Sequence, residues 1–210
     1  MKKFYALLVW CVMSIAISYA QEVPMTKLQI ETFNKEVSNK NKEIKTIDTD
    51  FIQYKNISFM SKEIESKGKM LLSIPNKLLW KYNSPIAYSV LFNNQKISIN
   101  DQGKKNNIDL GNNKKFAKIN NLIVSSVSGQ MFDEKEFSIR YFMDKKRRIA
   151  KMKPINKEIS QYISEIVLYF DEGQNTVSEV KLIEPSADYT RIVFVNKKLN
   201  TKIDEKSFSN

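Results

Sequence analysis

The chain has 210 residues, 34 Lys and Arg against 23 Asp and Glu, a formal charge of +11, one cysteine and no histidine. That composition excludes a disulfide framework, a thiolate metal site, a Ser-His-Asp triad and a histidine general base. The basic excess is mostly lysine, with arginine only at 140, 147, 148 and 191. It reads as a solvated surface rather than a nucleic-acid interface, which would interleave arginine and aromatics on one element.

The chain opens on Lys2 and Lys3, an apolar run over 7–17 and the small-x-small sequence Ser18-Tyr19-Ala20. These are the parts of a secretory signal peptide cleaved after Ala20, and they predict a periplasmic protein with one domain over 21–210. The apolar run is too short for a spanning helix. Cys11 lies inside it behind the bulky Trp10, a poor setting for lipid attachment. Without disulfides the domain must be held by its apolar core.

Pro24 and the cap candidate Thr26 precede Ile30, Phe33, Val37 and Ile44, whose spacing predicts one amphipathic helix over 26–44. Residues 47–54 read as a strand. Strands over 64–73, 78–82, 88–92 and 96–100 follow, separated by turn signals such as Asn93-Asn94 and Asp101-Gln102-Gly103. The stretch GKMLLSIPNKLLWKYNSP, 68–85, is the most informative: two apolar runs flank the turn pair Pro75-Asn76, and Leu78, Trp80 and Tyr82 alternate with Leu79, Lys81 and Asn83. Period-two alternation puts the three large side chains on one face.

The spacing of Phe116, Ile123 and Val127 predicts a second helix that stops at Gly129. Strands then resume over 136–143, 149–152, 162–170, 177–183 and 189–195. About ten antiparallel strands with two or three helices make too much sheet to stay flat, so a curl toward a barrel is expected. No catalytic motif appears: VSSVSG lacks the Gly-x-Ser-x-Gly elbow, and Asp133 with Glu136, or Asp171 with Glu172, read as solvated turns. The basic run 145–148 reads as a hairpin tip kept soluble. Neither enzymatic activity nor a metal or cofactor is expected. The lysines on both strand faces also argue against a lipid-facing outer-membrane barrel.

In order and spacing, Phe51-x-Gln53, Gly68-x-Met70, Pro75-Asn76 with Trp80-x-Tyr82 and Pro85, Thr190-x-Ile192-x-Phe194, the stretch 196–200 and Phe208 resemble the LolA family of periplasmic lipoprotein carriers, from about residue 47 to 208. The resemblance implies a mainly β (α+β) fold, an unclosed antiparallel β-barrel covered by an α-helical lid, with an apolar cavity between them. It implies acylated lipoproteins as cargo, received from an inner-membrane ABC-type exporter and passed to an outer-membrane acceptor, with no nucleic acid involved and a monomeric carrier. A carrier of another amphiphile, such as a free lipid or an acyl-linked small molecule, is the alternative.

Under that resemblance Ile47, Phe51, Leu78, Trp80, Tyr82, Ile192 and Phe194 belong to the concave face of the cavity. Ile30, Phe33 and Val37 on the first helix, with Phe116, Ile123 and Val127 on the second, would face them from the lid. One position departs from the family: the arginine that latches the lid just before the Pro-Asn turn is here Ile74.

Overall fold

A computed structural model describes residues 22–94, 96–109, 134–144 and 146–208. The signal peptide and its cleavage site, and the helix expected around Phe116, Ile123 and Val127, lie outside the described residues.

After a two-residue strand β1 (Val23–Pro24) comes helix α1 (Lys27–Glu43), then the strands β2 (Thr46–Asn56), β3 (Ile64–Ser73), β4 (Lys77–Ser84), β5 (Tyr88–Asn93), β6 (Lys96–Asp101) and β7 (Lys104–Asp109). Strands β8 (Phe137–Met143) and β9 (Arg147–Pro154) are followed by one helical turn α2 (Lys157–Ser160). The chain continues through β10 (Glu165–Asp171), β11 (Glu179–Ile183) and β12 (Tyr189–Leu199) to a 3-10 turn (Glu205–Phe208). All strand pairs are antiparallel, in one twelve-stranded sheet ordered β1-β8-β9-β10-β11-β12-β2-β3-β4-β5-β6-β7. The sheet is not closed, and with its few helices the fold is the mainly β half-barrel that the sequence predicts.

Helix α1 begins where Thr26 forms a capping box with Gln29: Thr26 N donates to Gln29 Oε1 at 2.8 Å and Gln29 N to Thr26 Oγ1 at 3.3 Å. Its apolar stripe turns inward, leaving Phe33 1% and Val37 0% exposed. Ile44 returns to extended backbone and ends the helix.

Alternation then sorts the sheet into two faces. Ile47 and Phe51 of β2, Met70 and Leu72 of β3, and Leu78 of β4 join the inner core with residues of the later strands, and Thr49 is buried beside them. Leu71, Leu79 and Leu91 point outward, where Phe208 and Ile203 of the C-terminal segment cover them. The main core is thus between the concave face and α1, with a small second cluster outside.

Two strands have no counterpart among the expected elements. β7 (KKNNID) pairs with β6 along its length and carries a single apolar residue inward, Ile108. As an edge strand it needs little apolar alternation, and its lysines suit an edge. β1 is two residues long and pairs with Met143 and Phe142. The strand expected from 162 begins at Glu165, because Asn156 caps α2 immediately before it. β12 runs beyond 195 through a bulge, where Asn196 takes φ 55° and donates to Asp50 Oδ2 at 3.0 Å.

Candidate functional site

Along β4–β6, β11 and β12 the concave face grades from sealed to accessible, whereas on β8–β10 it stays sealed to the far end, with Phe137, Met152 and Ile166 at most 4% exposed. At the end crossed by α1, Ile47, Met70, Leu72 and Leu78 are at most 2% exposed, and Phe33 of α1 packs edge-on against Phe170 at 5.0 Å and Tyr141 at 6.0 Å. Toward the other end Trp80, Tyr82, Val90, Ile99, Leu182 and Ile192 are only half-buried, although they pack on the same core.

An aromatic cluster joins the two zones. The Phe51 ring lies 4.4 Å from that of Trp80, tilted 31°, and Tyr82 meets it edge-on at 5.2 Å. Phe194, opposite Phe51 in the β12–β2 register, reaches Trp80 at 6.2 Å. The cluster depends on Gly68, the register partner of Phe51. A Cβ on Gly68 would lie 2.5 Å from Phe51 Cζ and 2.1 Å from the Lys81 carbonyl oxygen. The missing side chain is what lets the ring lie on the strand.

Among the described residues, polar groups on this face are few, and most of them bond within the protein. The Tyr82 hydroxyl donates to Gln53 Oε1 at 2.9 Å, and burial pushes its pKa up. Thr49 Oγ1 donates to the Val195 carbonyl at 2.8 Å. Within the β12 bulge Lys197 turns inward to donate to the Val177 carbonyl and to Thr176 Oγ1, and burial lowers its pKa to about 8. Such a surface offers contact area with few hydrogen bonds to a ligand, which suits flexible apolar chains rather than a polar substrate.

Of the residues assigned to the cavity from the sequence, Ile47, Phe51, Leu78, Phe194, Phe33 and Val37 lie together in the sealed core, and Trp80, Tyr82, Ile192 and Ile30 are its half-buried neighbours. Phe116, Ile123 and Val127 lie outside the described residues. Half-buried Val90 and Ile99 were not singled out from the sequence, although β5–β6 alternation marks them: they are register partners two pairs beyond Phe92 and Ile97, on the same face.

Helix α1 is fastened at three places. At its start β1 pairs with β8, and Met25 N donates to the Tyr141 carbonyl at 3.0 Å. At its end Asn200, with φ 58°, donates to the Glu43 carbonyl at 2.9 Å and accepts from Lys45 N at 2.7 Å. Midway, Arg148 of β9 donates to Glu36 Oε2, to the Gln174 carbonyl and to Asn175 Oδ1, each at 2.7 Å, and stacks over Phe33 at 4.8 Å. The basic run 145–148 is therefore not all solvated tip. Arg148 shares the inner face with Ala150 and Met152, a pattern visible in their spacing. Ile74, at the family's latch position, packs against the core and donates its backbone N–H to the Lys45 carbonyl.

A family model described as outer membrane lipoprotein carrier protein LolA matches residues 42–210. No curated protein matches the chain significantly. Among solved structures, MucB superposes with a TM-score of 0.52 at 10% identity, over 86% of this chain and 62% of that one. A LolA superfamily protein from Nitrosomonas europaea gives 0.44 at 7% identity, over 86% and 97%. The lipoprotein LppX from Mycobacterium tuberculosis gives 0.45 at 6%, over 85% and 100%. At these identities the likeness to MucB speaks for the fold alone.

Proposed function

This chain belongs to the LolA family of outer membrane lipoprotein carrier proteins, and from that we infer that its half-barrel is a periplasmic carrier that shields acyl chains of lipoproteins from water. The carrier would take its cargo from an inner-membrane ABC-type exporter and hand it to an outer-membrane acceptor, after removal of residues 1–20. The remaining chain, 21–210, acts as one domain and performs no covalent chemistry.

The observation that carries this reading is the graded concave face. Each CH₂ withdrawn from water is worth ~0.8 kcal/mol, so a sixteen-carbon chain carries roughly 12 kcal/mol of aversion to an aqueous compartment. The half-buried Trp80, Tyr82, Val90, Ile99, Leu182 and Ile192 supply an apolar surface where such chains find contact, and the sealed core behind them supplies rigidity. Ile30, Phe33, Val37, Ile47, Phe51, Leu78 and Phe194 support that surface from below. Few polar anchors keep binding loose in geometry, as hand-off requires.

Trp80 provides the test. The only other tryptophan is Trp10, in the proposed leader, so protein beginning at Gln21 reports from Trp80 alone. A diacylated lipopeptide brominated along its acyl chains should quench that fluorescence saturably. An unbrominated lipopeptide should compete. Absence of quenching at saturating lipopeptide would remove acyl chains from this face. Native mass spectrometry of protein purified from the envelope then identifies the cargo: a lipopeptide adduct supports the carrier of lipoproteins, a free-lipid adduct the carrier of another amphiphile.

A further inference from the structure

We propose that the end of the half-barrel remote from α1 docks directly on a lipid bilayer through its connecting loops. The docking takes its purpose from the proposed carrier role, but its evidence is separate. Register places five connections at that end, since Asn56 lies opposite Tyr189, Lys67 opposite Ser84, Tyr88 opposite Asp101 and Glu165 opposite Ile183. The β6–β7 and β11–β12 turns are polar; the other three are the β2–β3 loop, the β4–β5 turn and the β9–β10 connection that contains α2.

Among the described residues, eight large hydrophobic side chains are exposed, and six of them sit at this end. Phe59, Met60 and Ile64 belong to the β2–β3 hairpin, Ile86 to the β4–β5 turn, and Ile155 and Tyr162 to the β9–β10 connection. Phe59 is 87% exposed, Tyr162 60% and Ile86 55%. The β2–β3 loop that presents Phe59 is tied down. Ser58 N donates to Asp188 Oδ1 at 2.8 Å, Met60 N to the Ile57 carbonyl at 2.8 Å, and the Tyr189 hydroxyl to Glu63 Oε1 at 2.7 Å. Exposure of an aromatic side chain on a pinned loop costs solvation and gains nothing for the fold.

Charge distribution selects a bilayer as the partner. About a quarter of the chain is charged, yet the segments 56–61, 83–90 and 159–164 contain no charged residue. Taking a charge into the interface is expensive, whereas aromatic and aliphatic side chains at loop tips are stabilised there. The charges at this end have both signs, Lys62, Lys104 and Lys157 beside Glu63, Asp101 and Asp188, so attraction at this end is apolar and not electrostatic. Three separate apolar tips fit a deformable lipid surface better than a single rigid peptide.

The experiment uses vesicles of zwitterionic phosphatidylcholine, which the overall positive charge does not attract, at low and at high salt. The protein should co-sediment with them in both conditions. The variant Phe59→Ser with Ile86→Ser should bind about tenfold or more weakly, while lipopeptide quenching of Trp80 in solution stays unchanged. Loss of quenching in the wild-type protein would instead strike the carrier reading and leave the docking intact. Vesicle binding that is absent in the wild type, abolished by salt or unaltered in the variant overturns the proposal. A photo-crosslinker at position 59 that captures an envelope protein rather than lipid overturns it too, in favour of a protein partner.

Discussion

The guanidinium of Arg148 on β9 donates to the carboxylate of Glu36 on α1 at 2.7 Å, across 112 residues of sequence, while its face covers the Phe33 ring. The Arg148 side chain is 19% exposed and that of Glu36 45%, so the guanidinium is shielded while the carboxylate stays in contact with water. Hydrogen bonds to charged groups and a cation–π contact at a partly desolvated site each contribute on the order of 1 kcal/mol or more. Arg148→Ala should therefore cost about 2–3 kcal/mol in urea unfolding and speed hydrogen exchange along α1. Arg148→Lys keeps the charge but not the planar fork, and should recover part of the loss. A change within about 0.5 kcal/mol, the usual effect of a surface substitution, would return Arg148 to the solvated tip.

Gly68 carries no side chain because none fits. Gly68→Ala forces its Cβ against the Lys81 carbonyl oxygen and the Phe51 ring, and overpacking of this kind costs roughly 1–3 kcal/mol. The upper end is expected, since one of the two obstacles is backbone. Thermal unfolding followed by circular dichroism measures it, and an unshifted transition would show that the ring does not lie on the strand.

Lys197 makes stability depend on pH between its folded and free values. Burial holds its folded pKa near 8, against 10.5 for a free lysine, and the nearby Asp171 only partly opposes that. Between these values the unfolded chain binds more protons than the folded one, so stability rises with pH. Urea midpoints should increase from pH 7.5 to 9.5 by the equivalent of about 1–2 kcal/mol. Lys69 has the opposite sign: its pKa is raised by Asp48 and Asp50, and its contribution is lost only above 10.5. Lys197→Met should flatten the slope. A slope that persists in that variant would place the titrating group elsewhere.

Leu78 and Ile192 separate core from site. Leu78 is 2% exposed, so a charged substitution there would test folding rather than binding. Leu78→Ala should cost about 2–5 kcal/mol in stability. Half-buried Ile192 loses less contact on truncation, and Ile192→Ala should cost about 1–2 kcal/mol while weakening lipopeptide quenching of Trp80 several-fold. Intact binding in Ile192→Ala would move the acyl surface away from β12.

Periodicity made α1 and the central strands legible in the sequence. Thr26 with Gln29 fixes one helix end, and β3 matches its expected span of 64–73 because Pro75 and the alternating run around Met70 mark it on both sides. The edge strands β1 and β7 were not legible, since a strand with one neighbour needs neither length nor an apolar stripe. The concave face could be assigned by alternation, but not its gradation: Leu78 and Trp80 are two residues apart and chemically alike, and only the position of α1 seals one and leaves the other half-buried. Arg148 escaped because a run of basic residues resembles a solvated tip until the strand pairing turns one of them inward. Gly68 acquires its meaning only from Phe51, its partner in register on another strand.

The fastening of α1 also sets an order in time. Its C-terminal anchor, Asn200, lies 157 residues after Glu43, and β2, although hairpinned to β3, must wait on its other edge for β12, whose Phe194 pairs with Phe51. A polypeptide that emerges N-terminus first therefore presents its helix long before anything exists to receive it. Hairpins such as β3–β4 and β5–β6 can form as they appear, since their partners are adjacent in sequence. The seam between β2 and β12, and with it the seating of α1, closes last. Stopping the chain short of Asn200 should leave the hairpins formed and the helix adrift, an assembly fault seated at the opposite terminus from its symptom.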